Sequence, residues 1–190
     1  MRFILLLFTL SPFISFSQVK VQTTYYTVIY SEEYQQPLLL EYTVLCDYYS
    51  ESISRSNYSF YKNDSIITSD DLDYYKNIWD KGHLAPAAHF NCNEEALLST
   101  FSYLNCVLQH QDLNRKTWKY LEEYERKLSI TGNVFVRVEV KFKKSKWLET
   151  GALVPSGFLK YIYVNDELIG IWYFENKSPI SSDIFFYKIK

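Results

Sequence analysis

Two of the three histidines, His83 and His89, fall in one run, Asp80-Lys81-Gly82-His83-Leu84-Ala85-Pro86-Ala87-Ala88-His89. Imidazole is the side chain whose proton affinity suits base work near neutral pH. Lys81 sets a cation two positions before the first ring. A structural histidine in a loop has the same surroundings, and one histidine alone favours that reading. A second constellation tips the balance. Asn114, Trp118, Glu122 and Arg126 recur every four residues. On a helix that spacing puts an amide oxygen, a carboxylate and a guanidinium along one inclined row, with Trp118 packed between them. Asn114 falls in the first turn, where unpaired N–H groups and the helix dipole favour an anion. The plain counterpart is a helix with an exposed Glu122–Arg126 pair worth about 0.3–0.5 kcal/mol.

These groups need elements to hold them. Thr23–Tyr30 and Leu38–Tyr48 are β-branched and aromatic and predict strands. Glu51–Ser69 is polar and turn-rich and predicts a long surface loop. The segment from Trp79 to His83 is short, and Pro86 forbids a helix through it. Glu94–Thr100 predicts a short helix and Phe101–Leu108 a strand. Asp112–Leu128 is the strongest helix, with Asp112 as N-cap and an apolar stripe of Trp118, Leu121, Tyr124 or Glu125, and Leu128. Val134–Phe142 alternates as a half-buried strand. Leu159–Val164 and Leu168–Phe174 flank Asn165-Asp166, a hairpin signal. One α+β domain over residues 18–190 follows.

The 190 residues suffice for one sizeable core. With 47% apolar and 22% charged residues, disordered and fibrous classes are excluded. Net charge is -2, so bulk basicity signals no nucleic-acid partner. Charge is nevertheless uneven: residues 21–95 hold 12 acids against 4 Lys/Arg, and residues 115–146 hold 10 Lys/Arg against 4 acids. The densest basic part is Arg137–Lys146, either a solvated face or a patch for polyanion phosphates. The 18 Tyr and 13 Phe are read first as sheet and core filler, and second as a stacking surface.

Residues 1–17 have the positive, apolar and small-residue zones of a signal peptide cut before Gln18, and predict a secreted or periplasmic protein with no membrane contact after cleavage. Cys46, Cys92 and Cys106 allow one intramolecular disulfide, and the spacing leaves the pairing open. None forms a C-x-x-C pair suited to a structural zinc.

Several spaced motifs together carry a family resemblance. They are Trp79–Phe90 (WDKGHLAPAAHF), Tyr103-Leu104-Asn105 with Gln109, Asp112-Leu113-Asn114, and Trp118–Leu128 (WKYLEEYERKL). Weaker similarity extends to Tyr30–Thr43 and to Val154–Lys160 (VPSGFLK). In order and spacing they resemble the DNA/RNA non-specific endonuclease family. The resemblance implies a ββα-metal nuclease fold, a mainly antiparallel sheet with the metal-site helix packed beside it. It implies His83 as general base and Asn114 as the protein ligand of one Mg²⁺, with Mn²⁺ or another divalent ion as substitutes. Glu122 then holds metal-bound water, Arg126 lies near the scissile phosphate, and Asn105 supports the site. Lys81 takes the position of the family's arginine. The implied activity is metal-dependent hydrolysis of DNA, with RNA as a second substrate, to 5′-phosphate products through backbone phosphate contacts. Lysine offers phosphate a point charge where arginine offers a fork. The alternative is therefore a weakened homologue that binds nucleic acid without cleaving it.

Overall fold

The computed structural model describes residues 18–190; the expected leader over residues 1–17 lies outside them. The strands are β1 (Gln18–Gln22), β2 (Tyr26–Ser31), β3 (Gln36–Thr43), β4 (Trp79–His83), β5 (Cys106–His110), β6 (Val134–Lys141), β7 (Gly157–Val164) and β8 (Glu167–Glu175). Six of them form one sheet in the order β1-β2-β3-β6-β7-β8, and β4 pairs with β5 in a separate ribbon. Every pairing is antiparallel. In β6 the side chains of Val134, Val136, Val138 and Val140 are buried, and the residues between them are half-buried. This period of two puts one face of the sheet on the core. Asn165 and Asp166 both take positive φ, 50° and 67°, as the expected two-residue hairpin turn requires.

The helical rod beside the sheet is built from α2 (Gln111–Leu113), a π-helical turn (Asn114–Trp118) and α3 (Lys119–Leu128), with the short α1 (Glu94–Ser99) earlier in the chain. Trp118 and Leu121 are fully buried from the rod side and join one cluster with Phe158, Trp172 and Phe174 of the sheet. Trp118 meets Phe158 and Phe174 edge-on, with ring centroids 5.4 and 5.7 Å apart. Burying a large aromatic of this kind contributes several kcal/mol, enough to fix how the rod lies on the sheet.

Several boundaries differ from the expectations, each for a local reason. Thr23–Tyr25 turns instead of extending, because the Thr23 hydroxyl accepts from the N–H groups of Tyr25 and Tyr26. Past the end of β3 at Thr43, the Val44 N–H still donates to the Val134 carbonyl of β6, and the chain then leaves the sheet as the N–H groups of Leu45 and Cys46 donate to the His89 carbonyl. Ser102 caps a 3₁₀ turn over Tyr103–Asn105, so the strand expected from Phe101 begins at Cys106. The rod is capped by His110, whose Nδ1 accepts from the Asp112 N–H at 3.2 Å, and not by Asp112. The disulfide joins Cys46 to Cys92, and Cys106 is a buried free thiol. No helix among the described residues is long and apolar enough to cross a membrane.

Candidate active site

A cavity of about 800 Å³ opens where the β4 end, the rod and the segment before residue 61 meet. Lys81, His83, Asn114, Glu122 and Arg126, five of the sequence-derived site residues, line it together. The sixth, Asn105, is fully buried behind it. Its amide oxygen accepts from the Ala85 N–H at 2.7 Å, and its amide nitrogen donates to the Ala85 and Thr100 carbonyls. Asn105 thereby braces the chain directly after His83.

His83 is the last residue of β4, paired with Cys106 of β5. Gly82 before it is a packing requirement. A Cβ there would stand 2.6 Å from the Gln109 Cβ, and both residues are buried. The His83 ring is walled by Phe60 and Phe101, at centroid distances of 4.9 and 5.2 Å. Its Nε2 is buried without a partner. Burial, aided by the Arg55 charge, pushes the imidazole pKa down to about 3, so the ring is neutral at physiological pH.

Asn114 is held by the acid of the same histidine segment. Its Nδ2 donates to Asp80 Oδ2 at 2.9 Å, while Arg115 clamps Asp80 with Nε at 2.8 Å and a terminal nitrogen at 2.6 Å. A carboxylate can only accept, so this contact fixes the amide orientation and leaves Oδ1 as the acceptor free for another group. The π turn explains how Asn114 and Trp118 part company. They are four apart, which in a regular α-helix gives one face. The wider turn offsets them, and Trp118 enters the core while Asn114 stays at the cavity. The expectation that Trp118 packs between the polar groups is corrected accordingly. Arg126 lies on the cavity wall with its Nε buried and unpartnered, and its guanidinium sits 5.5 Å from the Tyr48 ring centroid. Lys81 is engaged elsewhere: its ammonium contacts Asp71 and lies about 5.5 Å from the rings of Phe60 and Tyr103.

Two features escaped the sequence reading. Arg55 lies in the segment taken for a surface loop, yet it lines the cavity and its charge acts on both His83 and Glu122. The signal was its isolation, since it is the one arginine between Arg2 and Arg115. The other is a buried network behind the rod. Glu125, wholly enclosed, accepts from the Tyr42 hydroxyl at 2.7 Å and lies 2.9 Å from Lys160 Nζ and 3.5 Å from His89 Nδ1. His89 Nε2 reaches the Glu122 carbonyl at 3.0 Å, so this ring ties the histidine segment to the rod. Lys160 also lies 4.1 Å from the Trp118 ring centroid.

Burial raises Glu122 to about 7 against the pull of Lys160, and it lowers His89 to about 4 against the pull of Glu125. Between pH 4.5 and 6.5 the unfolded chain protonates both imidazoles and ionises Glu122, whereas the native chain does the reverse at all three. Unfolding therefore takes up two protons and releases one, and stability rises with pH by up to about 1.4 kcal/mol per unit in this window. Urea midpoints at pH 5 and 6.5 measure this; equal midpoints reject the assignment of three shifted groups.

Among the described residues no group of three or more His, Cys, Asp or Glu could cage a metal ion. The donor set fits a hydrated oxygen-loving cation held by one amide oxygen beside a carboxylate, as magnesium accepts.

A family model described as DNA/RNA non-specific endonuclease matches residues 11–183. Endonuclease G, mitochondrial, of Bos taurus is 36% identical over 87 residues, 44% of this chain and 29% of the relative. The mitochondrial nuclease of Saccharomyces cerevisiae is 31% identical over 106 residues, 53% of this chain and 32% of the relative. The matched stretches thus span less than a third of these relatives. A crystal structure of an EndoG/EndoGI complex superposes with a TM-score of 0.76 at 21% identity, covering 90% of this chain and 80% of that one. That likeness shows a shared fold, and it is the α+β, ββα-metal architecture expected from the sequence. The names of both relatives carry a mitochondrial location, which corrects the secreted or periplasmic destination expected from residues 1–17.

Proposed function

Because the chain belongs to the DNA/RNA non-specific endonuclease family, we propose that residues 18–190 form one catalytic unit that hydrolyses phosphodiester bonds of DNA, and of RNA as a second substrate, leaving 5′-phosphate ends. The observation that supports it most is the convergence of a neutral His83, an oriented Asn114, Glu122, Arg126 and Arg55 on one cavity.

His83 accepts a proton from the water that attacks phosphorus as the bond to the 3′ oxygen breaks. Its neutrality keeps that lone pair available. Asn114 would hold a divalent cation, magnesium by preference, with Glu122 beside it as the carboxylate for the ion's bound water. Such a cation would supply positive charge to the phosphate and the departing oxygen. Arg126 and Arg55 bring guanidinium donors to the non-bridging oxygens, where charge accumulates. Asn105 keeps the chain after His83 in place. No residue of the site reads a base edge, so backbone phosphate dominates recognition and sequence preference is weak.

The weakened-homologue reading rests on one observation, the diversion of Lys81 to Asp71 and its aromatic neighbours. Nicking of supercoiled plasmid separates the two. Cleavage with magnesium that stops in chelator is the expected result, whereas binding without cleavage in either condition favours the homologue. Arg55→Ala is expected to lower the nicking rate about tenfold or more. It should also move the acid limb of the pH–rate profile upward, because a cation that disfavours protonated His83 is gone. An unchanged rate and limb would remove Arg55 from the site.

A further inference from the structure

The basic run Arg137–Lys146 divides in two in the fold. Arg137 lies 3.3 Å from Glu41 and 3.2 Å from Glu139, and Lys141 lies 2.6 Å from Glu139, so the strand portion is neutralised by its neighbours. Lys143, Lys144 and Lys146, beyond the strand end, are exposed and belong to none of the ion pairs among the described residues. The acids of the neighbouring turn are already engaged: Asp70 with Lys62, Asp71 with Lys81, and Asp73 with Thr150. Glu149 is the one acid within the loop itself.

The three lysines sit on a well-tied hairpin. The Ser156 N–H donates to the Lys141 carbonyl at 2.7 Å, the Lys143 N–H to Ser156 Oγ at 2.9 Å, and the Val154 N–H to the Lys146 carbonyl at 2.9 Å. Its base, Ala152 and Val154, clusters with Leu108 of β5, and Trp79 of β4 packs against them. The hairpin is thus rooted on the ribbon that carries His83. Beside the lysines, Trp147 is 53% exposed. Tyr34 holds it edge-on at 5.9 Å and is itself braced by Phe142 at 5.0 Å. A large apolar ring fixed in water among unpaired cations gains nothing from the core, but it is a stacking platform for a base while the ammonium groups take flanking phosphates.

We propose that Lys143, Lys144, Lys146 and Trp147 form an accessory binding surface for single-stranded nucleic acid, outside the catalytic cavity. The proposal rests on the polynucleotide reading above and adds a contact that tethers substrate beyond the cleaved bond. An anionic lipid surface would recruit lysine and tryptophan too, and the test separates it.

The experiment titrates the full chain with a 30-residue oligothymidine in chelator, following tryptophan fluorescence, with Trp147→Phe as reference. Oligothymidine should quench the wild type more than Trp147→Phe. Trp147→Ala should weaken binding about tenfold. The triple variant Lys143→Gln, Lys144→Gln, Lys146→Gln should lower the slope of log affinity against log salt by about 2. With magnesium, all variants should hydrolyse bis-(p-nitrophenyl) phosphate at the wild-type rate, since this small diester cannot span cavity and hairpin. Equal affinity and salt slope in wild type and triple variant would overturn the proposal. So would a Trp147 response to phosphatidylserine vesicles with none to oligothymidine. A wild type that cleaves neither plasmid nor small diester would instead sink the nuclease reading, and the oligothymidine titration would still decide the hairpin.

Discussion

His83→Ala is expected to lower plasmid nicking by about 10²- to 10⁴-fold, the usual contribution of a positioned general base. The fold should survive, because the ring is half-buried at the cavity wall and its Nε2 bonds to nothing in the protein. Thermal unfolding by circular dichroism checks that point. Loss of rate alone does not identify a base, so added imidazole supplies the second readout. Imidazole fits the space between Phe60 and Phe101 and should restore part of the rate. The restoration should follow the neutral form of the added base as pH varies. Wild-type turnover in the variant would refute the assignment outright.

Lys160→Met is expected to destabilise the protein by about 3–5 kcal/mol, the cost of leaving a buried charge without its partner. Lys160 and Glu125 are both fully buried, and their 2.9 Å contact is ionic rather than an aligned hydrogen bond. Removing the ammonium strands the Glu125 carboxylate with only Tyr42 and His89 beside it. The double variant Lys160→Met, Glu125→Gln removes both charges and should recover most of the loss, since the isolated cost lies in the unmatched ion. Urea unfolding of the two single variants and the double closes the cycle. Purely additive losses would show that the two side chains do not depend on each other.

The residues proposed to carry the chemistry were legible because their types are scarce and their spacing is regular. His83 stood out among three histidines, and the four-residue recurrence of Asn114, Glu122 and Arg126 marked the rod. The alternating valines of β6 and the Asn165-Asp166 turn announced themselves through period and backbone preference. Other features depend on long-range contacts that no local pattern encodes. The chain leaves the sheet after Val44 because His89, 46 residues beyond Thr43, offers its carbonyl to the N–H groups of Leu45 and Cys46. The π turn within the rod leaves no mark in residue type and became visible only through the separation of Asn114 from Trp118. Glu125 read as a place on the apolar stripe. Its partners Tyr42 and Lys160 come from two strands distant in sequence, and nothing local to any of the three signals the network.

The clasp of Asp80 on Asn114 makes a carboxamide dependent on an acid 34 positions away. If that acid became an amide, the group opposite would no longer have to present its nitrogen, and its oxygen could turn from the cavity without any change at position 114. Inherited variants at these two sites should therefore phenocopy one another, and a survey of natural sequences should find them lost together more often than singly.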